Sequence, residues 1–346
     1  MAIIEEYSIS DQEKWDEIVR SFPDYEIFYL SDYSKAFMKE APKNGTPILL
    51  LYEDGEDRAI NVVLRRDVAH DPKLAGKIKE GQYFDLITPY GYGGFWGTIT
   101  DWDKLNKTYT QYCMNNHYVC EFVRFELFSD YYEHYDGEVE TRTHNVVRSL
   151  DMSVDDIWMD FKQKVRKNVK RANKNNLSII VESTGEKLDD FLRIYYSTMD
   201  RSDAEDEYYF SRQFYEDLNE MKDNVVYFHV VYEGKIISTE LVIYGAENCY
   251  SYLGGTDRDY FDLRPNEFLK FEVIKWAKEK GLKNFVLGGG YGADDGIFQY
   301  KLCLAPHGTY DFYIGRKIFD KKSYDNLVSL RAGEELNEKY FPLYRS

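Results

Sequence analysis

The stretch Tyr250-Ser251-Tyr252-Leu253-Gly254-Gly255 decides the fold, because it ends a run of β-forming residues and precedes a helical segment from Phe268 to Lys280. The short apolar run Phe285-Val286-Leu287 comes soon after that segment. A strand, a helix of about four turns and a second strand, in this order, predict an α/β unit.

The first half of the chain contains the same features in the same order. The stretches Leu49 to Gly55 and Val230 to Gly234 each lead into an apolar strand. Tyr90-Gly91-Tyr92-Gly93-Gly94 corresponds to the glycine-aromatic stretch of the second half, and a helix from Leu105 to Asn115 precedes the strand Phe122-Val123-Arg124-Phe125. Three matches in one order predict a duplicated α/β unit.

The predicted fold is mixed α/β, with two tandem domains of the same type, each a central mixed sheet flanked by helices and splayed near its glycine-aromatic strand end. A chain of 346 residues has room for two domains of ordinary size. The boundary is expected within residues 141–150, so the domains are predicted as residues 1–145 and 146–346. Helices are predicted at Asp11–Val19, Leu105–Asn115, Val154–Asn173, Leu188–Thr198, Ser211–Met221 and Asn266–Lys280, and strands at Pro47–Tyr52, Ala59–Leu64, Val119–Leu127, Val225–Tyr232, Ile236–Tyr244, Cys249–Leu253, Asn284–Leu287 and Thr309–Ile314.

The composition argues against several functions. A net charge of −17 is unfavourable for a surface devoted to nucleic acid or anionic membrane, so no DNA partner is expected, although a local basic site can exist in an acidic protein. The start Met1-Ala2-Ile3-Ile4-Glu5-Glu6 lacks the features of a signal peptide, and no window of about 18 uncharged apolar residues occurs. These features predict a cytoplasmic protein without a membrane span. The 32 Tyr residues allow tyrosine-lined polar clefts, with compositional drift as the alternative.

The cysteines do not predict a metal site or a disulfide framework. Cys113, Cys120, Cys249 and Cys303 form no CxxC pair and are expected as free thiols. Cys113, His117 and Cys120 have the spacing of metal ligands but lack an evident fourth ligand, so no metal site is predicted. A Ser-His-Asp site is not predicted either, because the sequence has no Gly-x-Ser-x-Gly turn.

The segment from Phe161 to Lys174 concentrates positive charge. Phe161, Val165, Val169 and Ala172 recur at three- and four-residue spacing, which allows one stripe to pack while the rest stays cationic. One interpretation is a site for a phosphate-bearing substrate, tRNA or coenzyme A. The other is a solvated helix face that balances acidic neighbours. The seven cations, with no acid among them, are Lys162, Lys164, Arg166, Lys167, Lys170, Arg171 and Lys174.

Two further features are candidates for chemistry. The glycine-rich turn from Leu287 to Gly296 follows a predicted strand and is typical of a substrate-contacting loop, and no Gly-Lys-Ser/Thr follows it that would indicate a nucleotide motif. Glu240 lies in the middle of the predicted strand Ile236–Tyr244, where a carboxylate must be paired, protonated or functional. A salt-bridged Glu240 on a partly exposed face and a catalytic base both remain open.

Four stretches of the second half carry a family resemblance: Lys164–Ala172; Phe191–Arg201 with Tyr208-Tyr209-Phe210; Tyr252–Thr256 with the helix Phe268–Lys280; and Leu287-Gly288-Gly289 with Gly296–Lys301. They resemble the FemAB-type peptidyltransferases and their relatives within the GNAT acyltransferase superfamily. The resemblance covers residues 145–315, and the first half shares the architecture and the stretch Thr88 to Gly94, which is similar to a turn of members linked to surface polysaccharides. The sequence has Tyr300 where the family usually has Phe, and the pyrophosphate loop of ordinary GNAT enzymes is absent after Gly255.

The resemblance implies two tandem GNAT-like domains and an enzyme that transfers an acyl or aminoacyl group to an amine of a cell-wall precursor or surface-polysaccharide sugar. It implies aminoacyl-tRNA or acyl-CoA as donor substrate and no permanently bound cofactor. The implied partners are a cell-wall or glycan precursor, UDP-linked in one alternative, and the acceptor end of aminoacyl-tRNA.

Acyl transfer to an amine requires that the amine lose a proton, that the oxyanion be stabilised and that the substrates be aligned. Lys301 and Arg201 are candidates for the positive charge, Tyr252 or Tyr208 for a proton relay, and Glu240 or Asp295 for the base. The predicted catalytic residues are Lys301, Glu240, Tyr252 and Asp295, and the predicted substrate-binding residues are Arg201, Tyr208, Tyr90, Tyr92, Lys164, Lys167, Arg171 and Gly289.

Two other functions stay open at this point. An acyl-CoA-dependent N-acyltransferase acting on a small metabolite would keep the fold and change the substrates. The second is a non-catalytic ligand-binding module on the same fold, which the absence of the pyrophosphate loop favours.

Overall fold

The computed structural model describes residues 2–38, 45–290 and 295–346, with Glu207 described in its backbone only. The chain divides into two compact units, residues 1–22, 28–142 and 312–346 in the first and residues 23–27 and 143–311 in the second. The strands are β1 Ile3–Ser8, β2 Thr46–Asp54, β3 Asp57–Asp67, β4 Phe84–Ile87, β5 Trp96–Thr98, β6 Tyr118–Arg124, β7 Glu138–Ser149, β8 Ser178–Glu182, β9 Val225–Tyr232, β10 Lys235–Tyr244, β11 Asn248–Thr256, β12 Asn284–Gly288 and β13 Thr309–Ile318. The α-helices are α1 Gln12–Arg20, α2 Ser31–Met38, α3 Trp102–Asn115, α4 Tyr131–His134, α5 Val154–Asp160, α6 Gln163–Lys174, α7 Leu188–Ser202, α8 Arg212–Asn219, α9 Pro265–Glu279, α10 Gly296–Leu302 and α11 Lys321–Ser329.

The two units have sheets of the same topology. The strand order is β1-β2-β3-β4-β6-β13 in the first unit and β8-β9-β10-β11-β12-β7 in the second, while β5 pairs with β3. In both orders the fourth and fifth strands are parallel, and the other neighbours are antiparallel. Parallel neighbours need a crossover connection, and α3 and α9 lie in the two connections concerned. The predicted mixed α/β fold with a duplicated unit is therefore confirmed.

The sixth strand has a different place in the sequence in the two sheets: β7 directly precedes β8, whereas β13 is separated from β6 by the strands of the second unit. β7 follows the strands of the first unit in sequence but pairs with β12, with Ser149 opposite Asn284. β13 follows the strands of the second unit but pairs with β6, with Ile314 opposite Arg124. The predicted division at 145/146 lies near the observed boundary at 142/143, but residues 312–346 belong to the first unit and not, as expected, to the second. A strand pattern predicts that a strand exists and does not identify its partner.

The hairpin between β9 and β10 shows how local sequence fixes register. Tyr232 lies opposite Lys235, so the loop has the two residues Glu233 and Gly234. Both have positive φ, 49° and 79°, as a type I′ turn requires, and this turn matches the twist of the flanking strands. The register shifts by one residue between Ile236 and Ser238, and beyond this shift the buried residues Ser238, Thr239 and Glu240 lie opposite Val230, His229 and Phe228.

One predicted helix is two helices in the structure. The pattern from Val154 to Asn173 is interrupted at Phe161 and Lys162, whose backbones are extended. The Arg166 guanidinium donates to the carbonyl oxygens of Met159 and Phe161 at the end of α5. The Lys162 N–H donates to Cys303 O at 3.0 Å. These contacts, made by residues outside the predicted helical stripe, replace the helical hydrogen bonds that would have continued α5 into α6.

Each unit has its own apolar core. In the second unit Val169 on α6, Phe228 on β9, Ile274 on α9 and Phe285 on β12 belong to one buried cluster. In the first unit the core includes side chains such as Leu50, Val63, Tyr109 and Val123. Within the described ranges, no helix is both long enough and apolar enough to cross a membrane.

The C-terminal residues are held in the first unit by a buried carboxylate. Asp85 on β4 is fully buried and accepts hydrogen bonds from Arg66 Nε at 2.6 Å, Arg345 Nε at 2.6 Å and Tyr344 Oη at 2.9 Å. Burial raises the pKa of Asp85, but the charges of Arg66 and Arg345 outweigh burial and hold the pKa below its ordinary value. The pairing explains why the last residues of the chain fold with β4.

Asp85→Asn should strongly destabilise the first unit, because the buried guanidinium of Arg66 would lose its charge partner and that of Arg345 would keep only Asp71. Breaking a buried ion pair typically costs about 3–5 kcal/mol, which lowers a melting temperature by on the order of 10 °C. The matched control is Asp325→Asn, which removes an exposed pair with Lys321 and should cost at most about 1 kcal/mol. Equal melting temperatures of the two variants would contradict this account of the C-terminus.

Candidate active site

The parallel strands β11 and β12 separate in the middle of the second unit. Their pairing covers Asn248–Tyr250 on β11 and Asn284–Val286 on β12. β11 continues to Thr256 along β10, whereas β12 shifts register against β7 after Val286. From Ser251 onwards the two strands diverge towards their carboxyl ends, the position at which open α/β sheets bind ligands. This is the splay that the glycine-aromatic stretch predicts.

A buried ion pair lies beside the gap. Glu240 on β10 accepts a hydrogen bond from the ammonium of Lys270 on α9 at 2.6 Å, and the two side chains are only 4% and 9% exposed. The same ammonium donates to Ser251 Oγ at 2.6 Å. Glu240 is therefore salt-bridged, as one interpretation of the sequence expected, but on a buried face and not on a partly exposed one.

Tyr252 is the inserted residue of a β-bulge in β11. Leu253 lies opposite Leu241 while Ser251 lies opposite Val242, so the register shifts by one residue at Tyr252. A bulge bends its strand and redirects side chains, and bulges are common next to active sites. Half-buried Tyr252 thus lies where β11 departs from β12.

Lys301 lies on α10, which follows the glycine-rich turn. Its ammonium donates to Gly289 O at 2.6 Å. Gly288 has a φ of +79°, and a Cβ on it would lie 3.4 Å from Lys301 Nζ, so this glycine permits the close approach of the turn to the lysine. The structure thereby brings together two predicted residues, Lys301 and Gly289, at the end of β12.

The charge state of Lys301 is unusual for a lysine. Burial is the largest effect and the positive charge of Lys270 the next, and both lower the pKa of Lys301, to about 8. The negative charges of Glu240 and Asp295, the two predicted carboxylates, act in the opposite direction and raise this pKa. Lys301 is therefore able to exchange a proton close to neutral pH.

Asp295 also has a structural role at the start of α10. Its carboxylate accepts a hydrogen bond from Phe298 N at 2.7 Å and caps the helix. A Cβ on Gly290 would lie 2.3 Å from Asp295 Oδ1, so a side chain there would displace the capping carboxylate. Residues 291–294 of the predicted glycine-rich turn, with Asp294 among them, lie outside the described residues.

Helix α6 carries the predicted cationic face. Val165, Val169 and Ala172 are buried, whereas Lys164, Lys167 and Arg171 are exposed. In the described part of the chain, none of these three cations forms an ion pair. Asn168 Nδ2 donates to Glu267 Oε1 on α9 at 2.7 Å. With the bond from Lys162 N to Cys303 O, α6 is connected to both helices that carry the lysines of the site.

The other predicted residues of the second unit lie further along β11. The Arg201 guanidinium lies over the Phe261 ring at 5.1 Å and contacts Thr256 O at 3.4 Å. Thr256 is five residues beyond Ser251, which corresponds to roughly 16 Å along a strand. Half-buried Tyr208 precedes α8, and its carbonyl oxygen accepts from Tyr195 Oη at 2.7 Å. Arg201 therefore lies near the far end of β11 and not beside the buried ion pair.

Tyr90 and Tyr92 form part of an aromatic group in the first unit. Tyr90 is 40% exposed, and its carbonyl oxygen accepts a hydrogen bond from Tyr33 Oη at 2.5 Å. Tyr92 packs edge-on against Phe28 and Phe312. Burial raises the pKa of Tyr92 well above its usual range, so this hydroxyl stays protonated.

Sequence reasoning missed Lys270 and Ser251. A signal for Lys270 exists, because it shares a stripe with Val273, Ile274 and Ala277 at three-, four- and seven-residue spacing, and all three are buried. A lysine on an apolar stripe requires a buried partner. Ser251 gave no such signal, since its contact with Lys270 depends on how the bulged strand meets α9.

Two of the residues with metal-ligand spacing are buried cysteines. Cys113 and Cys120 are buried, and Cys120 Sγ lies 3.3 Å from Tyr344 Oη. Burial raises the pKa of both thiols. Where the structure is described, His, Cys and acidic ligand atoms converge only at Asp67, His70 and Glu80, on the surface of the first unit. That group carries no further argument, because exposed acidic clusters are common without an ion.

A known domain family matches the part of the second unit that contains this site. Residues 159–302, which include Glu240, Lys270 and Lys301, match the acetyltransferase (GNAT) domain family. The lipid II:glycine glycyltransferase of Staphylococcus epidermidis is 28% identical over 86 residues, 25% of this chain and 21% of that protein. Its counterpart in Staphylococcus haemolyticus is 27% identical over 85 residues, 25% and 20% of the two chains. The match thus spans about a fifth of the length of these curated relatives.

Solved structures share the fold over almost the whole chain. The crystal structure of FemX has a TM-score of 0.69 at 15% identity and covers 93% of this chain and 99% of that one. L-PGS from Bacillus licheniformis has a TM-score of 0.54 at 12% identity and covers 93% and 96%. At such identities the likeness concerns the fold. Together with the domain match, these findings confirm the resemblance predicted from the sequence.

Glu240→Gln should destabilise the second unit, because the buried ammonium of Lys270 would lose its charge partner. The expected cost is about 3–5 kcal/mol. Glu272→Gln, on the same helix as Lys270, is the control. Glu272 pairs with the partly exposed Lys275, and such pairs typically contribute about 0.3–0.5 kcal/mol. Thermal unfolding measures both variants. A Glu240 variant as stable as the Glu272 variant would show that the buried pair is not needed.

Proposed function

We propose that this chain, a FemAB-like GNAT protein, transfers an acyl or aminoacyl group to an amine of a cell-wall precursor or surface-polysaccharide sugar. The observation that carries the proposal is Lys301, whose ammonium is bonded to a neutral carbonyl in a splayed-strand gap, beside the buried pair of Lys270 and Glu240. Support for the substrate class comes from the relatives, which are named for glycine transfer to lipid II.

The geometry suits a direct attack of the amine on the donor carbonyl. Lys301 places a cation where a developing oxyanion can be stabilised, and with a pKa of about 8 it can also exchange a proton. A direct attack forms no covalent enzyme intermediate. The buried thiols of Cys113, Cys120 and Cys249 have raised pKa values and are therefore poor nucleophiles.

The donor is proposed to carry phosphate groups. Lys164, Lys167 and Arg171 form an exposed cationic face in a chain with a net charge of −17, and the helix that bears them is bonded to α9 and to the end of α10. Aminoacyl-tRNA and acyl-CoA both meet this requirement. We favour aminoacyl-tRNA, because the relatives transfer an amino acid by name, and we keep acyl-CoA as the alternative.

Tyr90 and Tyr92 of the first unit are retained as substrate-binding candidates. Tyr90 offers an exposed ring beside Phe37, and Tyr92 packs against Phe28. A tyrosine presents an apolar face together with a hydroxyl, which suits a sugar ring that has both apolar and hydroxyl-bearing sides. Arg201 and Tyr208 are retained as substrate-binding candidates near the far end of β11.

Ligand-induced stabilisation tests the proposal against its alternatives. A ligand at about 100 times its dissociation constant adds roughly 2.7 kcal/mol to the stability of the folded state. Stabilisation by aminoacyl-tRNA and by a UDP-linked precursor would support the proposed function, and stabilisation by acyl-CoA with a small amine would support the N-acyltransferase. A protein that binds a ligand of either kind but forms no product would be the non-catalytic binding module.

Lys301→Met should abolish most of the turnover without lowering the melting temperature. Loss of a charge that acts only in the transition state costs on the order of 3 kcal/mol of activation energy, or about a hundredfold in kcat. Lys278→Met is the matched control, because the Lys278 ammonium also donates to a backbone carbonyl, Leu150 O at 2.6 Å, away from the gap. Near wild-type kcat in the Lys301 variant would exclude this residue from the chemistry.

Reversing the charges of Lys164, Lys167 and Arg171 to glutamate should raise KM for a phosphate-bearing donor more at low salt than at high salt, because screening weakens the lost attraction. The control reverses Lys187, Lys222 and Lys280, which are exposed on the same unit but scattered. Both triple variants change the net charge equally. An equal rise of KM in the two variants would show that the effect comes from the net charge of the protein and not from the α6 face.

A further inference from the structure

Two lysine ammoniums and one glutamate share the site, and only one of the lysines is bonded to a carboxylate. Lys270 donates to Glu240 and to Ser251, each at 2.6 Å. Lys301 donates to the carbonyl of Gly289 and forms no ion pair within the described ranges. A buried cation that is not bonded to a carboxylate loses its proton more easily than one that is.

We infer that Lys270 is a positioning residue of this site: by occupying Glu240 and adding a second positive charge, it keeps Lys301 able to exchange a proton during acyl transfer. The inference rests on the proposed function for its role in the reaction, whereas the proton equilibrium itself can be measured without a substrate.

The charged groups that face Lys301 come from three elements. Lys270 on α9 opposes the charged form, and Glu240 on β10 and Asp295 at the start of α10 favour it. Burial adds to the effect of Lys270, and the resulting pKa of about 8 leaves roughly a tenth of Lys301 neutral at pH 7, against about 0.04% for an ordinary lysine. Removing Lys270 would also release Glu240 towards Lys301, so both consequences raise the pKa of Lys301.

A neutral Lys301 can take part in both halves of the transfer. As the acceptor nitrogen forms its bond to the donor carbonyl carbon, the amine proton passes to Lys301 Nζ. The resulting ammonium then lies beside the oxyanion. When the ester or thioester bond breaks, the same proton passes to the leaving oxygen or sulfur, so Lys301 returns to its neutral form and the atoms balance.

The test is the pH dependence of labelling of Lys301 by trace acetic anhydride, read by peptide mass spectrometry with Lys278 as the internal reference. Wild type should show a labelling midpoint near pH 8. Lys270→Met should raise the midpoint by at least about one pH unit, because Glu240 is released. Lys270→Arg, which keeps the charge and the pair, should leave it unchanged, and Lys270→Met with Glu240→Gln, which removes both charges, should return it close to wild type.

Lys270→Gln is the second variant in case Lys270→Met does not fold, because glutamine retains a hydrogen bond to Glu240 and removes only the charge. It should raise the midpoint in the same direction. A wild-type midpoint like that of an ordinary lysine, about pH 10.4, overturns the inference, and so does a midpoint that the Met or Gln variant leaves unchanged. Because labelling needs no substrate, the result does not depend on whether acyl transfer is detected.

Discussion

The buried pair of Lys270 and Glu240 is the interaction on which the arrangement of the second unit depends. Taking two charges out of water is costly, and their attraction offsets this cost only when the remaining hydrogen-bonding groups are satisfied. Ser251 supplies the additional acceptor, so the pair requires β10, β11 and α9 to meet at one point. That point is where β11 leaves β12. The bulge at Tyr252 directly follows Ser251, and the charge of Lys270 is, after burial, one of the causes that lower the pKa of Lys301.

The first unit repeats the topology without repeating this chemistry. Helix α3 of the first unit corresponds to α9 of the second. In the core of the first unit, Tyr109 on α3 contacts the buried carboxylate of Glu121 on β6. Hydroxyl groups of Tyr109 and Tyr135 donate to Glu121 at 2.7 and 3.1 Å. Burial raises the pKa of Glu121, although the charge of Lys317 and the two hydroxyl groups act in the opposite direction. The GNAT domain match covers the second unit's site and not this one, as expected when function belongs to a site and not to a fold.

Sequence reasoning could predict those features that depend on local pattern. Residue periodicity and the hairpin residues Glu233 and Gly234 were sufficient for the duplicated topology, because strand pairing there is between neighbours in sequence. The place of β13 was not predictable, because its partner β6 is far away in the chain. For the site, Gly289 could be proposed from the glycine-rich turn and Glu240 from its place in the middle of a strand. Lys301 could be proposed from the family resemblance of Gly296–Lys301 together with its position after the turn. Lys270 could have been found from its apolar stripe, but the contact with Ser251 required the bulge, which no residue pattern specifies.

The central claim is that this chain forms an amide by transferring an acyl group to an amine. The most direct measurement is the intact mass of a UDP-linked amine-bearing precursor after incubation with the protein and aminoacyl-tRNA, with acyl-CoA tested in parallel. The account predicts that the mass of the acceptor increases by one aminoacyl residue with wild type, and that the product is nearly absent with a folded protein that lacks Lys301. An acceptor mass that stays unchanged with both donors, although donor and acceptor each stabilise the wild-type protein, would contradict the account.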